Sequence, residues 1–317
     1  MGRFVLRRLI IAIPVLLVIS VLDFGFIALA PGDPLQAMLP MGEAGEGPTE
    51  DLYEASGLAG SIPVRYVRWV GQLVQGDFGD SFRTGQPASE AIAKAVPNTI
   101  KLALTAAVIA IALGIPLGIM AALREGSLLD EVLTMFSYTI ASIPGFFLAL
   151  IAVFSLSVKF HVFPATGASS IGQDAGFVDS VQHLILPAFI LGILQTPGYI
   201  RHLRGSVLET MREDYVRTAR AKGLEERWVI VRHVLRNAMM PVITIMGLQL
   251  PALLGGSVLI EQVFAWPGLG TLSIQSALFR DYPVFMGTAL LYAVAVLVSS
   301  TITDITYALV NPRVRYA

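Results

Sequence analysis

The chain has 317 residues, 55% of them hydrophobic and only 14% charged, where a soluble domain carries about 25% charge. Most of it must therefore be surrounded by lipid or by other apolar helices. The net charge of −1 favours no particular partner, and the lack of cysteine excludes disulfides, thiolate metal sites and cysteine nucleophiles.

Six apolar runs stand out: Leu9–Ala30, Leu102–Leu123, Val132–Val158, Leu184–Ile200, Met239–Phe264 and Val284–Val310. Crossing the hydrocarbon takes about 20 residues, which all but the fourth supply comfortably. That one is short and holds Pro187, Gln195, Thr196 and Pro197, whose freed backbone groups neighbouring helices can satisfy. The expected class is an all-α polytopic membrane protein with six transmembrane helices. The first run comes after Arg3, Arg7 and Arg8, but at 22 residues it exceeds the 7–15 residues of a signal-peptide apolar region. It is read as a retained span.

The segment between the first two runs, 31–99, opens on the turn-prone Pro31-Gly32-Asp33-Pro34. An acidic, Gly-rich stretch comes next over Met41–Gly60. Then Ile62, Tyr66, Trp69, Val70, Leu73 and Val74 recur at helical spacing and give one apolar face. Tyr66 and Trp69 suit a helix near the lipid headgroups; a helix covering the mouth of the bundle is the alternative.

Between the fourth and fifth runs the composition changes. Residues 201–236 hold nine of the 22 Lys and Arg side chains. With the N-terminus inside, the cytoplasmic segments contain Arg3, Arg7, Arg8, Arg124, those nine, Arg313 and Arg315. The other side has Arg65, Arg68, Arg83, Lys94, Lys101, Lys159 and Arg280. The excess inside satisfies the positive-inside rule and puts both termini in the cytoplasm. The domain reading is a cytoplasmic stub and first span (1–30), an extracytoplasmic segment (31–99) and a five-helix core (100–317) with its cytoplasmic loop at about 201–238.

Catalytic signatures are missing. None of Lys94, Lys101, Lys159 and Lys222 precedes Ser or Thr, so no phosphate-binding loop can form. His161, His183, His202 and His233 make no i, i+4 pair, and no Gly-x-Ser-x-Gly turn occurs. No catalytic residue and no metal ligand is assigned. Three carboxylates lie within spans: Asp23, Glu261 and Asp304. Each must face protein or a water-filled path, as a hydrogen-bonding group or as a proton relay. Gln249, Leu253 and Ser257 share a helix face at i, i+4, i+8. They could line a passage, or Gln249 could join helices by hydrogen bonding.

The loop 209–223, ETMREDYVRTARAKG, favours helix up to Ala221, and Gly223 can stop it by taking positive φ. A second helical stretch, Glu225–Asn237, would come after it at an angle. Tyr215, Thr218, Ala219 and Lys222 fall on one face at i, i+3, i+4, i+7, which suits a helix seated in a partner's groove.

DYVRTARAKGL (214–224) and RHVLRNAMMPVIT (232–244) resemble the coupling loop of ABC importer permeases. The closer likeness is to the first membrane subunit of dipeptide and oligopeptide importers. Further matching elements are LRRLIIAIPVLLVIS (6–20) with Pro31-Gly32-Asp33-Pro34, Gly76-Asp77-Phe78-Gly79-Asp80-Ser81, Pro97-Asn98-Thr99, GGSVLIEQVFAWPGLG (255–270), Arg280-Asp281-Tyr282-Pro283 and Asn311-Pro312-Arg313-Val314-Arg315-Tyr316. Departures are Gly57-Leu58-Ala59, where the family tends to have Asp in third place, and the acidic insertion 41–51.

The resemblance implies a type I importer-permease fold in the cytoplasmic membrane. It implies coupling to an ATPase through Asp214, Tyr215, Thr218, Ala219, Lys222 and Gly223, and a non-catalytic role. The implied partners are a second homologous permease, two ATPase subunits that bind the ATP and Mg, an extracytoplasmic binding protein and membrane lipid, with no nucleic acid. This chain is expected to bind no cofactor itself. Di- or oligopeptides are the implied cargo, with nickel, glutathione or oligosaccharides as alternatives. A secondary transporter is the rival class, disfavoured because no clear internal repeat is visible.

Overall fold

A computed structural model describes residues 2–29, 53, 59–170 and 176–310. The expectations for the turn at 31–34, the insertion 41–51 and the terminal motif at 311–316 lie outside these residues. In chain order the helices are α1 (Gly2–Leu29), α2 (Ile62–Val74), α3 (Ala88–Leu123), α4 (Leu128–Ser142), α5 (Gly145–Ala152), α6 (Phe177–Met211), α7 (Asp214–Ala221), α8 (Glu226–Trp228), α9 (Arg236–Val263), α10 (Leu269–Leu278) and α11 (Tyr282–Val310). Two π-helical stretches, Val153–Lys159 and Val229–Leu235, continue α5 and join α8 to α9.

Among the described residues, five helical stretches are long and apolar enough to cross a membrane: Ile10–Leu29, Ala88–Leu123, Phe177–Met211, Glu226–Gly247 and Tyr282–Thr306. The third expected run is not one straight helix. α4 and the helix beginning at Gly145 meet at 100°, and they make a sixth span only if taken together. Pro144 explains the bend. It has no N–H to continue the ladder, and it pushes Ile143 into extended backbone (φ −85°, ψ 126°), as a pre-proline residue prefers. In contrast, α6 carries both Pro187 and Pro197 inside one helix of 35 residues.

The chain divides into two compact units: Met1–Ile100 with Trp266–Leu297, and Lys101–Ala265 with Val298–Ala317. In the first, α2 lies against α1. Tyr66 and Ser20 share a hydrogen bond of 2.8 Å, and the Phe24 ring sits 5.5 and 5.8 Å from the rings of Tyr66 and Trp69. Tyr282, Met286 and Leu290 complete that cluster.

The sequence motifs of this unit are tied to one another. Gly79 N–H donates to Asp77 Oδ1, and Ser81 N–H to the Gln86 carbonyl. That turn is pinned to the loop before α11, where Asp281 accepts from Ser81 Oγ (2.5 Å) and from Phe82 N–H (3.0 Å). Asn98 donates to the Pro267 carbonyl and accepts, through its own carbonyl, from Trp266 Nε1. Thr99 Oγ1 accepts from Leu269 N–H at 2.8 Å, satisfying a free donor at the start of α10.

In the second unit, small residues let helices approach closely. Ala106, Ala110, Gly114, Gly118 and Ala122 form an i+4 ladder along α3, all buried. A Cβ on Gly114 would stand 2.5 Å from Tyr199 Cβ, and one on Gly118 3.1 Å from Leu203 Cβ. On the facing helix, a Cβ on Gly192 would stand 2.8 Å from the Ala106 carbonyl oxygen. α4 starts at Ser127, whose hydroxyl accepts from Asp130 N–H. The Asp130 carboxylate in turn takes Gly126 N–H (3.0 Å) and a two-point ion pair from Arg204 (2.6 and 2.7 Å).

Candidate functional site

The charged loop folds as a short helix held on the end of the second unit. α7 carries Asp214 in its first turn and Arg220 in its last, which matches the helix dipole at both ends. Its strongest apolar side chain, Val216, is fully buried. It joins a cluster with Leu203, Val207, Val229, Val234 and Ala238.

Gly223 ends the helix as expected. Its φ is +76°, its N–H bonds to the Arg220 carbonyl, and Leu224 N–H bonds to the Ala219 carbonyl. That pair of bonds is the Schellman arrangement, which needs left-handed backbone at the position Gly223 occupies. Nothing lies within 4 Å of where its Cβ would be. The constraint is therefore backbone conformation, not space.

Beyond Gly223 the chain departs from the expected separate helix. α8, the π-helical stretch 229–235 and α9 form one continuous helical run into the fifth span. Two contacts tie α7 to that run. Arg220 grips the Glu226 carboxylate at 3.1 and 2.7 Å, which holds its guanidinium pKa above its ordinary high value. Asn237 Nδ2 donates to Tyr215 Oη at 3.0 Å and to the His233 carbonyl at 2.9 Å. Farther back, Ser206 Oγ donates to the Ala238 carbonyl. An open pocket of about 490 Å³ lies beside the start of α7, lined by Gly205, Leu208, Glu209, Arg212, Glu213 and Asp214.

Asp214, Tyr215, Thr218, Lys222 and Gly223 are all exposed and form one continuous surface. Ala219 does not belong to it. It is 5% exposed and packs in the core beside Val216. Burying Val216 and its i+3 neighbour fixes the helix's rotation, and this turns the edge of the expected contact face inward. Spacing from Gly223 alone missed two exposed apolar side chains, Leu224 and Trp228. Their signal was an apolar pair flanking the charged Glu225-Glu226-Arg227.

The second candidate group is packed largely against the rest of this chain. Leu253 and Ser257 are buried, and the Ser257 hydroxyl is spent on the Leu254 carbonyl. A Cβ on Gly198 of α6 would meet Gln249 Nε2 at 2.6 Å, and one on Gly256 would touch Leu191. The face Gln249–Leu253–Ser257 is thus turned towards α6, and Gly198 leaves the room that Gln249 occupies. Glu261, one turn on from Ser257, is also fully buried.

The family model described as "Binding-protein-dependent transport system inner membrane component" matches residues 114–316. A second, "Binding-prot-dependent transport system membrane comp, N-term", matches residues 1–103. The chain belongs to this family. As an importer permease it is 42% identical over 317 residues to the oligopeptide transport system permease protein AppB of Bacillus subtilis (strain 168), covering 100% of both chains. It is 37% identical over 339 residues to the dipeptide transport system permease protein DppB of Escherichia coli (strain K12), covering 100% of this chain and 99% of that one. It is 39% identical over 322 residues to the glutathione transport system permease protein GsiC of Salmonella paratyphi A (strain ATCC 9150 / SARB42), covering 100% of both.

Among solved structures, an inward-facing MetNI methionine ABC transporter shares the fold. Its TM-score is 0.57 at 17% identity, over 69% of this permease and 96% of that chain. An amino acid ABC transporter matches at TM-score 0.53 and 16% identity, over 70% of this chain and 94% of that one. Family membership removes the secondary-transporter reading.

Proposed function

We propose that this permease forms half of the translocation path of an importer for di- or oligopeptides. A second, homologous permease supplies the other half. Two ATPase subunits bind ATP and Mg and dock on the cytoplasmic loops, while an extracytoplasmic binding protein delivers cargo. The chain itself is non-catalytic and binds no cofactor. It lies in the cytoplasmic membrane with both termini inside, the orientation its Arg and Lys distribution favours.

One observation carries the coupling role: the exposed surface of Asp214, Tyr215, Thr218 and Lys222 on a helix tied to the fifth span by Asn237–Tyr215 and Arg220–Glu226. A subunit seated there moves α7, and these contacts pass the motion to the helical run 226–263. The names of relatives 37–42% identical along the whole chain support a peptide cargo. Glutathione, itself a small peptide, is the second reading, because relatives named for it are 39% identical over their full length.

Uptake decides the question. The permease is expressed with its neighbouring transport genes in cells lacking peptide importers, and labelled dipeptides, pentapeptides, glutathione and nickel are supplied. Peptide uptake that disappears when this gene is deleted supports the proposal. Accumulation of glutathione or nickel alone overturns the cargo. ATP hydrolysis by this subunit purified alone would overturn its non-catalytic role.

A further inference from the structure

The helix α2 (Ile62–Val74) presents three distinct faces. Tyr66, Trp69, Val70 and Leu73 pack in the cluster formed with α1 and the start of α11. Arg65, Arg68, Gln72 and Gln75, at i, i+3, i+7, i+10, make a polar face. Val64, Val67, Gly71 and Val74, at the same spacing, make a third that is wholly apolar and uncovered; Val67 is 69% exposed and Val74 82%. A helix standing in water would be polar on both of its open faces.

The depth of the packed face says what covers the apolar one. Tyr66 meets Ser20 at 2.8 Å, and Ser20 is the eleventh residue of the 20-residue apolar stretch Ile10–Leu29. At 1.5 Å per residue it lies about 13 Å from the end of that stretch, near the middle of a hydrocarbon core about 30 Å thick. Phe24, which holds both Tyr66 and Trp69, is one turn nearer the end. A helix gripped at that level sits below the headgroups, so an uncovered apolar face there meets lipid chains while its polar face turns towards the aqueous boundary.

We infer that α2 is a half-inserted helix of the bilayer, with Val64, Val67 and Val74 in contact with lipid acyl chains and the exposed Arg68 and Gln72 directed to the headgroups, while the Arg65 guanidinium lies over the Phe24 ring. Arginine suits the rim because its long stem keeps the charge at the polar boundary while its carbons stay in apolar surroundings. The segment between the first two spans is then an amphipathic membrane element braced on span one. The assignment to the outer leaflet rests on the orientation proposed above; contact with lipid does not.

The chain has no cysteine, so single-site labelling is direct. V67C, V74C and Q72C, each in the full chain with its co-purifying subunits, are reconstituted in phosphatidylcholine–phosphatidylglycerol vesicles and carry a nitroxide. Labels at 67 and 74 should relax more with oxygen than with a water-soluble nickel chelate, and the label at 72 should do the reverse. Equal chelate access at 67, 74 and 72 would overturn the inference by placing the third face in water. Protection of 67 and 74 from both relaxants, lost when the chain is reconstituted alone, would overturn it in favour of a protein partner. Adding the chelate on one side only then reads the leaflet from Q72C, so an error of orientation is separable from an error of depth.

Discussion

Asp281 binds Ser81 at 2.5 Å across 200 residues of sequence, and the same carboxylate takes Phe82 N–H. Asp281 is 4% exposed. The turn at 76–87 and the entry to α11 are therefore locked at a point where neither partner can turn to water.

The first prediction concerns that lock. D281A leaves a buried hydroxyl and a backbone N–H without an acceptor, a loss of about 1–3 kcal/mol. The variant should melt at a lower temperature in detergent and be cut faster by trypsin at Arg83. D281N, which keeps one carbonyl acceptor, should fall between. Unchanged melting and cleavage in D281A would show that the lock contributes nothing.

The ion pair of Asp130 and Arg204 gives the second. Asp130 is 5% exposed and Arg204 31%, so removing the carboxylate strands a half-buried cation. The cost should be about 1–3 kcal/mol, below that of a fully buried pair because water reaches Arg204. R204L leaves the more deeply buried charge unpaired and should lower the melting temperature at least as much as D130A. Exchanging the two residues should not restore it, because Asp130 also accepts from Gly126 N–H and an arginine cannot. Full recovery by the exchange would show that charge pairing alone matters there.

Orientation supplies the third. T84C lies in the segment proposed to be outside and R227C in the loop proposed to be inside; both positions are exposed. In intact cells an impermeant maleimide should modify 84 and spare 227, and after permeabilisation both should react. The reverse pattern sinks the proposed topology.

Much of this was legible in the sequence, for reasons that also mark its limits. Apolar run length revealed the spans because lipid demands it, and the stop at Gly223 was legible because left-handed backbone favours glycine. The bend at Pro144 was missed although its signal was present: run length registers hydrophobicity, and Ile143-Pro144 interrupts a helix without interrupting apolarity. Gln249, Leu253 and Ser257 were grouped correctly on one face, but spacing does not say what a face meets. Gly198, which lets α6 close on it, acts only once the helices are paired. The Ser81–Asp281 contact had no local signal, since a bond between distant residues has no period.

The last prediction separates docking from folding on α7. Tyr215, Thr218 and Lys222 are exposed while Ala219 is buried beside Val216, so substitutions one residue apart should fail differently. T218R and K222E alter only the open surface. They should reach the membrane at wild-type level and lose ATPase co-purification and uptake together. A219R forces a charged side chain into the cluster with Leu203, Val229 and Val234 and should lower abundance itself. G223V needs left-handed backbone from a β-branched residue, a strain of about 1–3 kcal/mol. Because nothing crowds that position, its effect should be a tilt of α7: normal insertion, weak ATPase binding and little uptake. Y215F removes the acceptor that Asn237 uses while keeping the ring. It should retain ATPase binding and lower transport per ATP hydrolysed. If T218R and K222E transport normally while only A219R fails, α7 is a structural cap on the second unit, and docking must be sought on another surface.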